Sequence, residues 1–249
     1  MKETLVLDRK TVNIFVPDSG QENVKRVIYL NGGYEDADEI WRQFTAGTAE
    51  DGKAAGSAGA SQTAGTALVA IDITREWNSA LTPWEAPRTF KGGEDFAGKA
   101  DEYLRILTGI VFLAEDEIAR MTGAGAALNI QSRAIAGYSL AGLFAVWSFY
   151  KTNMFDRLAS MSGSLWFDGF ADFMKENKLV RIPDKAYFSL GDKEKKTRNQ
   201  RMAAVEDCTA LAAELFKTAG AETIIELAAG GHFDDETERI VKGLRFIAD

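Results

Sequence analysis

Short, almost entirely apolar runs alternate with longer helical patterns along this chain, and this alternation limits the folds open to it. Strands at the centre of a parallel sheet are buried on both faces, so they read as apolar runs without strict alternation. Strands are predicted at residues 27–30, 67–71, 134–137, 157–161, 186–190 and 222–227. The pattern predicts an α/β fold with a mostly parallel central sheet, right-handed crossovers and helices on both faces.

The remaining segments complete this outline. Residues 3–16 predict two antiparallel N-terminal strands joined by a turn at Asp8-Arg9-Lys10, and residues 74–94 predict a long loop of the kind that shapes a site. Residues 46–66 are small and polar and bury little, so we expect an excursion within one domain covering residues 1–249. Helices are predicted at residues 35–44, 97–121, 143–150, 199–219 and 235–246.

Composition and charge argue against several classes of protein. The chain of 249 residues carries 29 Lys and Arg against 37 Asp and Glu, a net charge of −8, which disfavours binding to phosphate backbones. No apolar run approaches the roughly 18 residues that a membrane span needs. The N-terminus shows no secretory signal, and the one cysteine, Cys208, fits a reducing compartment and core packing. We expect a cytoplasmic protein with no nucleic-acid or membrane partner, and its oligomeric state stays open.

The chain contains a single histidine, His232. One histidine and one cysteine exclude a zinc site built from several imidazoles or thiolates, although a carboxylate site for Mg²⁺ or Ca²⁺ stays open. If the chemistry of this protein needs an imidazole base, His232 is the candidate.

The segment Ala136-Gly137-Tyr138-Ser139-Leu140-Ala141-Gly142 lies between a strand pattern and a helix pattern. This is the setting of a nucleophile elbow, Gly-x-Ser-x-Gly, in which small neighbours avoid a clash across a strained turn. Ala141 replaces the second glycine, the smallest available departure. The elbow makes Ser139 the candidate nucleophile and the backbone N–H of Leu140 one candidate oxyanion donor. An ordinary turn between a strand and a helix would also fit the pattern.

A base and an acid for this serine occur later in the chain. His232 follows Gly230-Gly231 in the last loop between a strand and a helix, and glycines allow such a loop to bend sharply. Two acids, Asp192 and Glu194, follow the strand at 186–190, and either could orient the imidazole. We rank Glu194 first, because it lies three residues after Gly191, although both acids also fit a solvated charge run.

The second oxyanion donor is expected in the loop after an early strand, Asn31-Gly32-Gly33-Tyr34. Glycines let the backbone approach a ligand, so we favour the N–H of Gly33, with Tyr34 as the alternative.

At this point the sequence resembles the esterase family of α/β-hydrolases that includes enterochelin esterase-like and esterase D-like serine hydrolases, feruloyl esterases and mycolyltransferases. The resemblance covers about residues 5–247 and implies an α/β-hydrolase fold without a large cap domain. It also implies Ser139 as nucleophile, His232 as base and Glu194 as acid. The motifs that carry it are Leu30-Asn31-Gly32-Gly33, Leu81-Thr82-Pro83-Trp84, Phe90-Lys91-Gly92-Gly93, Gly137-Tyr138-Ser139-Leu140-Ala141-Gly142, Gly191-Asp192-Lys193-Glu194 and Gly230-Gly231-His232-Phe233.

Loop membership suggests which side chains line a pocket. Aromatic residues there would suit an aromatic or apolar acyl or alcohol group, and Arg75 or Arg88 could hold a carboxylate or phenolate. Residues 166–181 are expected to form a short lid. The substrate-binding candidates are Trp84, Arg88, Tyr138 and Trp166, with Trp77 and Phe167 nearby; core packing of the Trp residues is the alternative.

These observations together predict a serine hydrolase that cleaves small-molecule carboxylic esters through a Ser-His-acid triad and an acyl-enzyme, with no cofactor or metal. An acyltransferase of the same fold and a ligand-binding module without catalysis are the two alternatives. The natural substrate, whether a siderophore, feruloyl or simple acyl ester, stays open.

Overall fold

The computed structural model describes residues 1–17, 24–33, 36–46, 63–89 and 91–249. Most of the small-residue excursion predicted at 46–66, together with Tyr34 and Phe90, lies outside these residues. The strands are β1 (Lys2–Leu7), β2 (Lys10–Phe15), β3 (Arg26–Gly32), β4 (Thr66–Asp72), β5 (Glu85–Ala86), β6 (Phe96–Ala97), β7 (Ser132–Tyr138), β8 (Arg157–Met161), β9 (Lys185–Gly191) and β10 (Glu222–Ala228).

Within the described residues, eight strands form one sheet in the order β1-β2-β4-β3-β7-β8-β9-β10. The first two strands are antiparallel to their neighbours, and every pair from β4 to β10 is parallel. The short strands β5 and β6 form a separate antiparallel pair. The mostly parallel sheet with antiparallel N-terminal strands, as predicted, is confirmed. Parallel pairing brings the carboxyl ends of β3, β7, β8, β9 and β10 to one edge of the sheet.

The helices are α1 (Ala37–Thr45), α2 (Trp77–Ala80), α3 (Ala100–Thr122), α4 (Leu140–Ser148), α5 (Phe170–Glu176), α6 (Gln200–Ala203), α7 (Val205–Ala219) and α8 (Glu236–Ala248). Alternate side chains of each central strand enter two apolar clusters on opposite faces of the sheet. On β3, for example, Tyr29 joins the cluster with α3, α4 and α7, whereas Ile28 joins the cluster with α1 and α8. Helices on both faces of the sheet are therefore confirmed.

Three segments differ from their sequence-based predictions. The helix predicted at 199–219 is divided at Ala204 into α6 and α7. The long loop at 74–94 contains a 3₁₀ turn (Thr74–Glu76), α2 and β5. The segment expected to be a short lid is anchored in the body of the protein, because Phe167, Phe170 and Met174 are buried. Periodicity alone indicated neither the division of the helix nor the burial of this segment.

Gly137, at the end of β7, is required by close packing. A Cβ atom at this position would lie 2.4 Å from the carbonyl carbon and oxygen of Ala141, in the first turn of α4. Backbone atoms in a helix cannot yield as a flexible side chain would. The strand and the helix on either side of Ser139 therefore touch through this glycine.

We predict that Gly137→Ala lowers the free energy of unfolding by about 1–3 kcal/mol, the usual range for forcing an extra carbon into a packed site. Gly109→Ala is the matched control, because Gly109 is an exposed residue of α3 and a Cβ atom there meets nothing within 4 Å. The control should gain up to about 1 kcal/mol from helix propensity. Urea unfolding of both variants measures the difference, and equal effects would contradict the packing argument.

Candidate active site

Ser139 occupies a strained turn between β7 and α4. Its backbone has φ 57° and ψ −123°, a conformation that residues with a side chain rarely adopt. Hydrogen bonds hold it on both sides: the N–H of Ser139 donates to the carbonyl of Met161 at 3.1 Å, and its carbonyl accepts from the N–H of Ser164 at 2.9 Å. This is the geometry of a nucleophile elbow, and it presents the side chain at the carboxyl edge of the sheet.

His232 reaches this serine from the loop that follows β10. Its Nε2 lies 3.1 Å from Ser139 Oγ, within hydrogen-bonding distance. The loop is fixed by its own contacts, because the Tyr138 hydroxyl donates to the His232 carbonyl at 2.6 Å and the N–H of Gly231 donates to the Asp234 carboxylate at 2.7 Å. Gly230 has φ 105°, a value that favours glycine.

Glu194 lies on the other side of the imidazole. Its Oε2 is 2.7 Å from His232 Nδ1, and its Oε1 accepts from the N–H of Gly191 at 2.7 Å and from Ser162 Oγ at 2.8 Å. Burial, the largest single influence, favours the protonated acid, but the hydrogen bonds from His232 and Gly191 outweigh it and lower the pKa of Glu194 below its ordinary value. The carboxylate is therefore the form that faces His232.

Asp192, the other acid considered, has a different position. Its Oδ1 accepts from the N–H of Gly230 at 2.9 Å, so its carboxylate ties the β9 loop to the loop that carries His232. The structure thus brings Ser139, His232 and Glu194 together and leaves Asp192 beside the backbone.

The two expected oxyanion donors, Leu140 and Gly33, line the same cavity as Ser139 and come from different parts of the chain. Leu140 is the first residue of α4, where the helix provides no acceptor for its N–H. Gly33 follows β3 and lines the same cavity as Ser139. A Cβ atom on Gly33 would lie 2.1 Å from a carbon of the Thr74 side chain, so glycine allows the close approach of these loops. Tyr34 lies outside the described residues, and the oxyanion roles stay predictions.

A cavity of about 440 Å³ opens beside Ser139 and His232. Of the expected substrate-binding residues, Arg88, Tyr138 and Trp166 line it. The Tyr138 hydroxyl is occupied by the His232 carbonyl, and the Arg88 guanidinium donates to the carbonyl of Gly93 at 3.2 Å. Several further residues complete the wall: Thr74, Trp77, Asn78, Thr89, Glu94, Phe96, Ser164, Met202, Phe233 and Glu236.

Trp84, expected among the substrate-binding residues, does not line this cavity. Its indole Nε1 donates to the carbonyl of Asp168 at 2.8 Å, and its ring packs against Phe167, Phe170 and Phe173. Membership of a loop near the site could not reveal that this partly buried side chain packs against the core. Arg75, also considered for the pocket, does not line the cavity either.

Several residues of the site were missed by sequence reasoning. Phe233 lines the cavity and is 85% exposed, and its position directly after His232 was an available signal. Glu236, like Glu94, places a carboxyl group in the cavity wall. Burial raises the pKa of Glu236, and this rise is reduced by the electrostatic interaction with His232. Ser162 and Arg239, which contact Glu194, carried no recognisable motif.

In the parts of the chain that the structure describes, no three His, Cys, Asp or Glu side chains gather as a metal ion would require. Among the same residues, no helix is both long enough and apolar enough to cross a bilayer.

Comparisons with known proteins show the fold. No family model matches the chain. A segment of 114 residues, 45% of the chain, is 29% identical to the uncharacterized protein YbbA of Bacillus subtilis, and the match spans 44% of that protein. The siderophore hydrolase EstA from Aspergillus nidulans is similar in structure, with a TM-score of 0.69 and 17% identity over 100% of this chain and 93% of its own.

An IroE-like serine hydrolase from Shewanella oneidensis also has a TM-score of 0.69, with 16% identity over 98% of this chain and 78% of its own. The fold class that the sequence predicted is therefore confirmed. A further structure of this fold, the enterobactin hydrolase IroE, has a TM-score of 0.66 and 17% identity over 100% of this chain and 94% of its own, which agrees with the enterochelin esterase-like resemblance.

Proposed function

We propose that this protein is a serine hydrolase that cleaves carboxylic esters through an acyl-enzyme. The observation that carries the proposal is the continuous chain of contacts from Ser139 Oγ to His232 Nε2, at 3.1 Å, and from His232 Nδ1 to Glu194 Oε2, at 2.7 Å. A serine hydroxyl is a weak nucleophile until a base takes its proton, and an oriented imidazole is suited to that task.

In the acylation step, Ser139 Oγ attacks the ester carbonyl while His232 Nε2 takes its proton. Glu194 holds the ring in the tautomer that carries hydrogen on Nδ1 and stabilises the imidazolium that forms. The backbone N–H groups of Leu140 and Gly33 stabilise the negative charge on the carbonyl oxygen. His232 then gives its proton to the leaving alcohol.

In the deacylation step, His232 Nε2 accepts a proton from water, whose oxygen attacks the acyl carbon. The bond between that carbon and Ser139 Oγ then breaks, and His232 returns the proton to Ser139 Oγ. The alcohol and the acid are the two products. If an alcohol takes the place of water, the same residues perform acyl transfer, so product analysis with added alcohols separates the two reactions.

The cavity wall supports esters with an aromatic or apolar group as substrates. Trp77, Phe96, Trp166, Met202 and Phe233 contribute apolar surface next to Ser139. EstA, which shares the fold, is described as a siderophore hydrolase, and siderophore esters are therefore one of the substrate classes to be compared with feruloyl and simple acyl esters. A panel of p-nitrophenyl and aromatic esters tests this preference.

We predict that Ser139→Ala remains folded and loses turnover by a factor on the order of 10⁶, because the attacking oxygen is removed. Ester hydrolysis by the purified variant measures the loss, and a fluorophosphonate probe should label the wild type but not the variant. More than a few per cent of residual activity, with contaminants excluded, would contradict the assignment. A wild type with neither labelling nor turnover would indicate a binding module instead.

A second prediction separates the two acids. Glu194→Gln should lower kcat by orders of magnitude, because an amide nitrogen facing His232 favours the wrong tautomer. Asp192→Asn is the matched control, since it retains the oxygen that accepts from Gly230. Steady-state kinetics of both variants decide between the two acids. A greater loss of kcat in Asp192→Asn would mean that Asp192, and not Glu194, orients His232.

A third prediction concerns pH. The lowered pKa of Glu194 keeps its carboxylate ionised from pH 5 to 9, and burial, the largest influence, raises the pKa of Tyr138 above its ordinary value. The acid limb of kcat/KM should therefore report His232, with activity rising as the imidazole loses its proton and then levelling off.

His232→Gln should be nearly inactive from pH 5 to 9. The control for the limb is Glu236→Gln, because the raised pKa of Glu236 moves this carboxyl toward the same range. We expect the limb to persist in the control. Loss of the acid limb in Glu236→Gln, or a wild-type rate in His232→Gln, would contradict the role of His232 as the base.

A further inference from the structure

Arg239 of α8 is a buried cation behind the three residues of the site, with 2% of its surface exposed. Its Nη1 lies 3.1 Å from Glu194 Oε1, 3.1 Å from Ser162 Oγ and 3.3 Å from the Tyr138 hydroxyl. Its Nη2 donates to the carbonyl of Ala229 at 3.0 Å. One guanidinium thus contacts the acid, the residue before Ser139 and the loop that carries His232.

These contacts give the two oxygens of Glu194 different surroundings. Oε1 accepts from the Gly191 N–H, Ser162 Oγ and Arg239 Nη1, whereas Oε2 faces His232 Nδ1. With Oε1 held by three donors, the carboxylate cannot rotate without breaking charge-assisted hydrogen bonds. Oε2 therefore stays directed at the imidazole.

The Tyr138 hydroxyl extends the same network to His232. It accepts from Arg239 Nη1 and donates to the His232 carbonyl at 2.6 Å. Arg239 therefore reaches His232 by two routes, through the carboxylate to the ring and through the tyrosine to the backbone.

The surrounding chain is shaped around this arginine. A Cβ atom on Gly191 would lie 2.4 Å from the carbonyl oxygen of Gly230 and 2.9 Å from Arg239 Nη2, so glycine leaves room for both the His232 loop and the guanidinium. The group is also expensive to bury, because its Nε has no hydrogen-bond acceptor among the described residues. Apolar residues often replace buried ion pairs without loss of stability, so stability alone does not explain this arginine.

We propose that Arg239 is a positioning residue of the site: its guanidinium fixes Glu194 and the His232 loop, and its positive charge limits how strongly Glu194 stabilises the imidazolium of His232. The proposal rests on the proposed function for its effect on turnover. Its electrostatic part concerns His232 alone and can be measured without a substrate.

Other charged and titratable groups also surround the imidazole. Glu236 shares α8 and interacts electrostatically with His232, Tyr138 packs its ring 5.5 Å away, and Asp192 and Asp234 accept from the backbone of the His232 loop. All of these groups remain when Arg239 alone is replaced, so the change reports the guanidinium.

The direction of the change distinguishes a charge effect from simple disruption. Removal of a nearby positive charge makes the imidazolium easier to form, so the titration midpoint of His232 should rise by about 0.5–1 pH unit in Arg239→Met. In Arg239→Met the Gly191 N–H and Ser162 Oγ still bind Glu194 Oε1, so the carboxylate loses part of its orientation but stays beside the ring. If Arg239 only supported the fold and its charge had no effect on the imidazolium, the midpoint would fall or stay unchanged.

Because the chain has one histidine, imidazole NMR resonances report His232 without assignment. The titration is recorded for the wild type, Arg239→Met and Arg239→Lys, which retains the charge and should keep the wild-type midpoint. Arg239→Gln replaces the Met variant if the latter does not fold, and the same rise is expected. Arg133→Met is the matched control, because Arg133 pairs with Glu115 through Nε at 2.6 Å, at the opposite end of β7.

Kinetics supply the second measurement. Arg239→Met should lower kcat about ten- to hundredfold, as a misplaced catalytic group does, and change KM by less than about threefold, because Arg239 does not line the cavity. The acid limb of kcat/KM should move up with the NMR midpoint, and Arg239→Lys should recover part of kcat.

A midpoint that stays or falls in a folded Arg239→Met or Arg239→Gln variant would overturn the proposal, as would an equal rise in Arg133→Met. Failure of the proposed function is a different result: the wild type and Ser139→Ala would then show equal turnover, and the NMR shift would still decide the role of Arg239.

Discussion

The burial of the Glu194 carboxylate is the constraint on which the arrangement of the site depends. A carboxylate with 4% of its side chain exposed is stable only if hydrogen bonds and opposite charge replace its lost water. The replacement groups come from four places in the chain: the end of β9, the residue after β8, helix α8 and the loop after β10. Satisfying this one charge therefore joins the loops at the carboxyl edge of the sheet.

Backbone strain at Ser139 has a related origin. A serine with φ 57° raises the free energy of the folded state, so this conformation persists only where the surrounding structure enforces it. Here Gly137 packs directly against Ala141, and hydrogen bonds with Met161 and Ser164 hold the backbone of Ser139. Ser162 also has a positive φ, 45°, and its hydroxyl donates to Glu194. Ser139 and Ser162 thus follow the ends of the neighbouring parallel strands β7 and β8, and the pairing of these strands fixes their position.

The sequence predicted those features that local chemistry determines. Apolar runs identified the central strands because burial on both faces leaves no polar alternation. Ser139 and His232 were found because each follows a strand and is accompanied by glycines that sharp turns require. Glu194 was ranked above Asp192 from its distance to Gly191, and the structure places it beside His232. The roles of these residues in catalysis stay predictions.

The features that were missed depend on contacts between distant parts of the chain. Trp84 was expected in the pocket from its loop, but its partly buried ring packs against Phe167 and Phe173 instead of lining the cavity. Arg239 lies in an amphipathic helix, where an arginine is ordinarily exposed, and only the fold brings it to Glu194. Hydrophobic periodicity therefore cannot distinguish Arg239 from the exposed polar residues of the same helix.

The cavity wall is held by contacts between distant parts of the chain in the same way. Trp166 faces the cavity, and the Arg201 guanidinium lies 5.9 Å from the centre of its ring. Arg201 also donates to the Asp168 carboxylate and to the carbonyl of Pro87, while Trp84 donates to the Asp168 carbonyl. Arg201 and Trp84, which do not line the cavity, are thereby linked to Trp166, one of the aromatic side chains that do. Because a misplaced wall residue can weaken binding as a missing one does, the proposed substrate preference would depend on this network as well as on the lining residues.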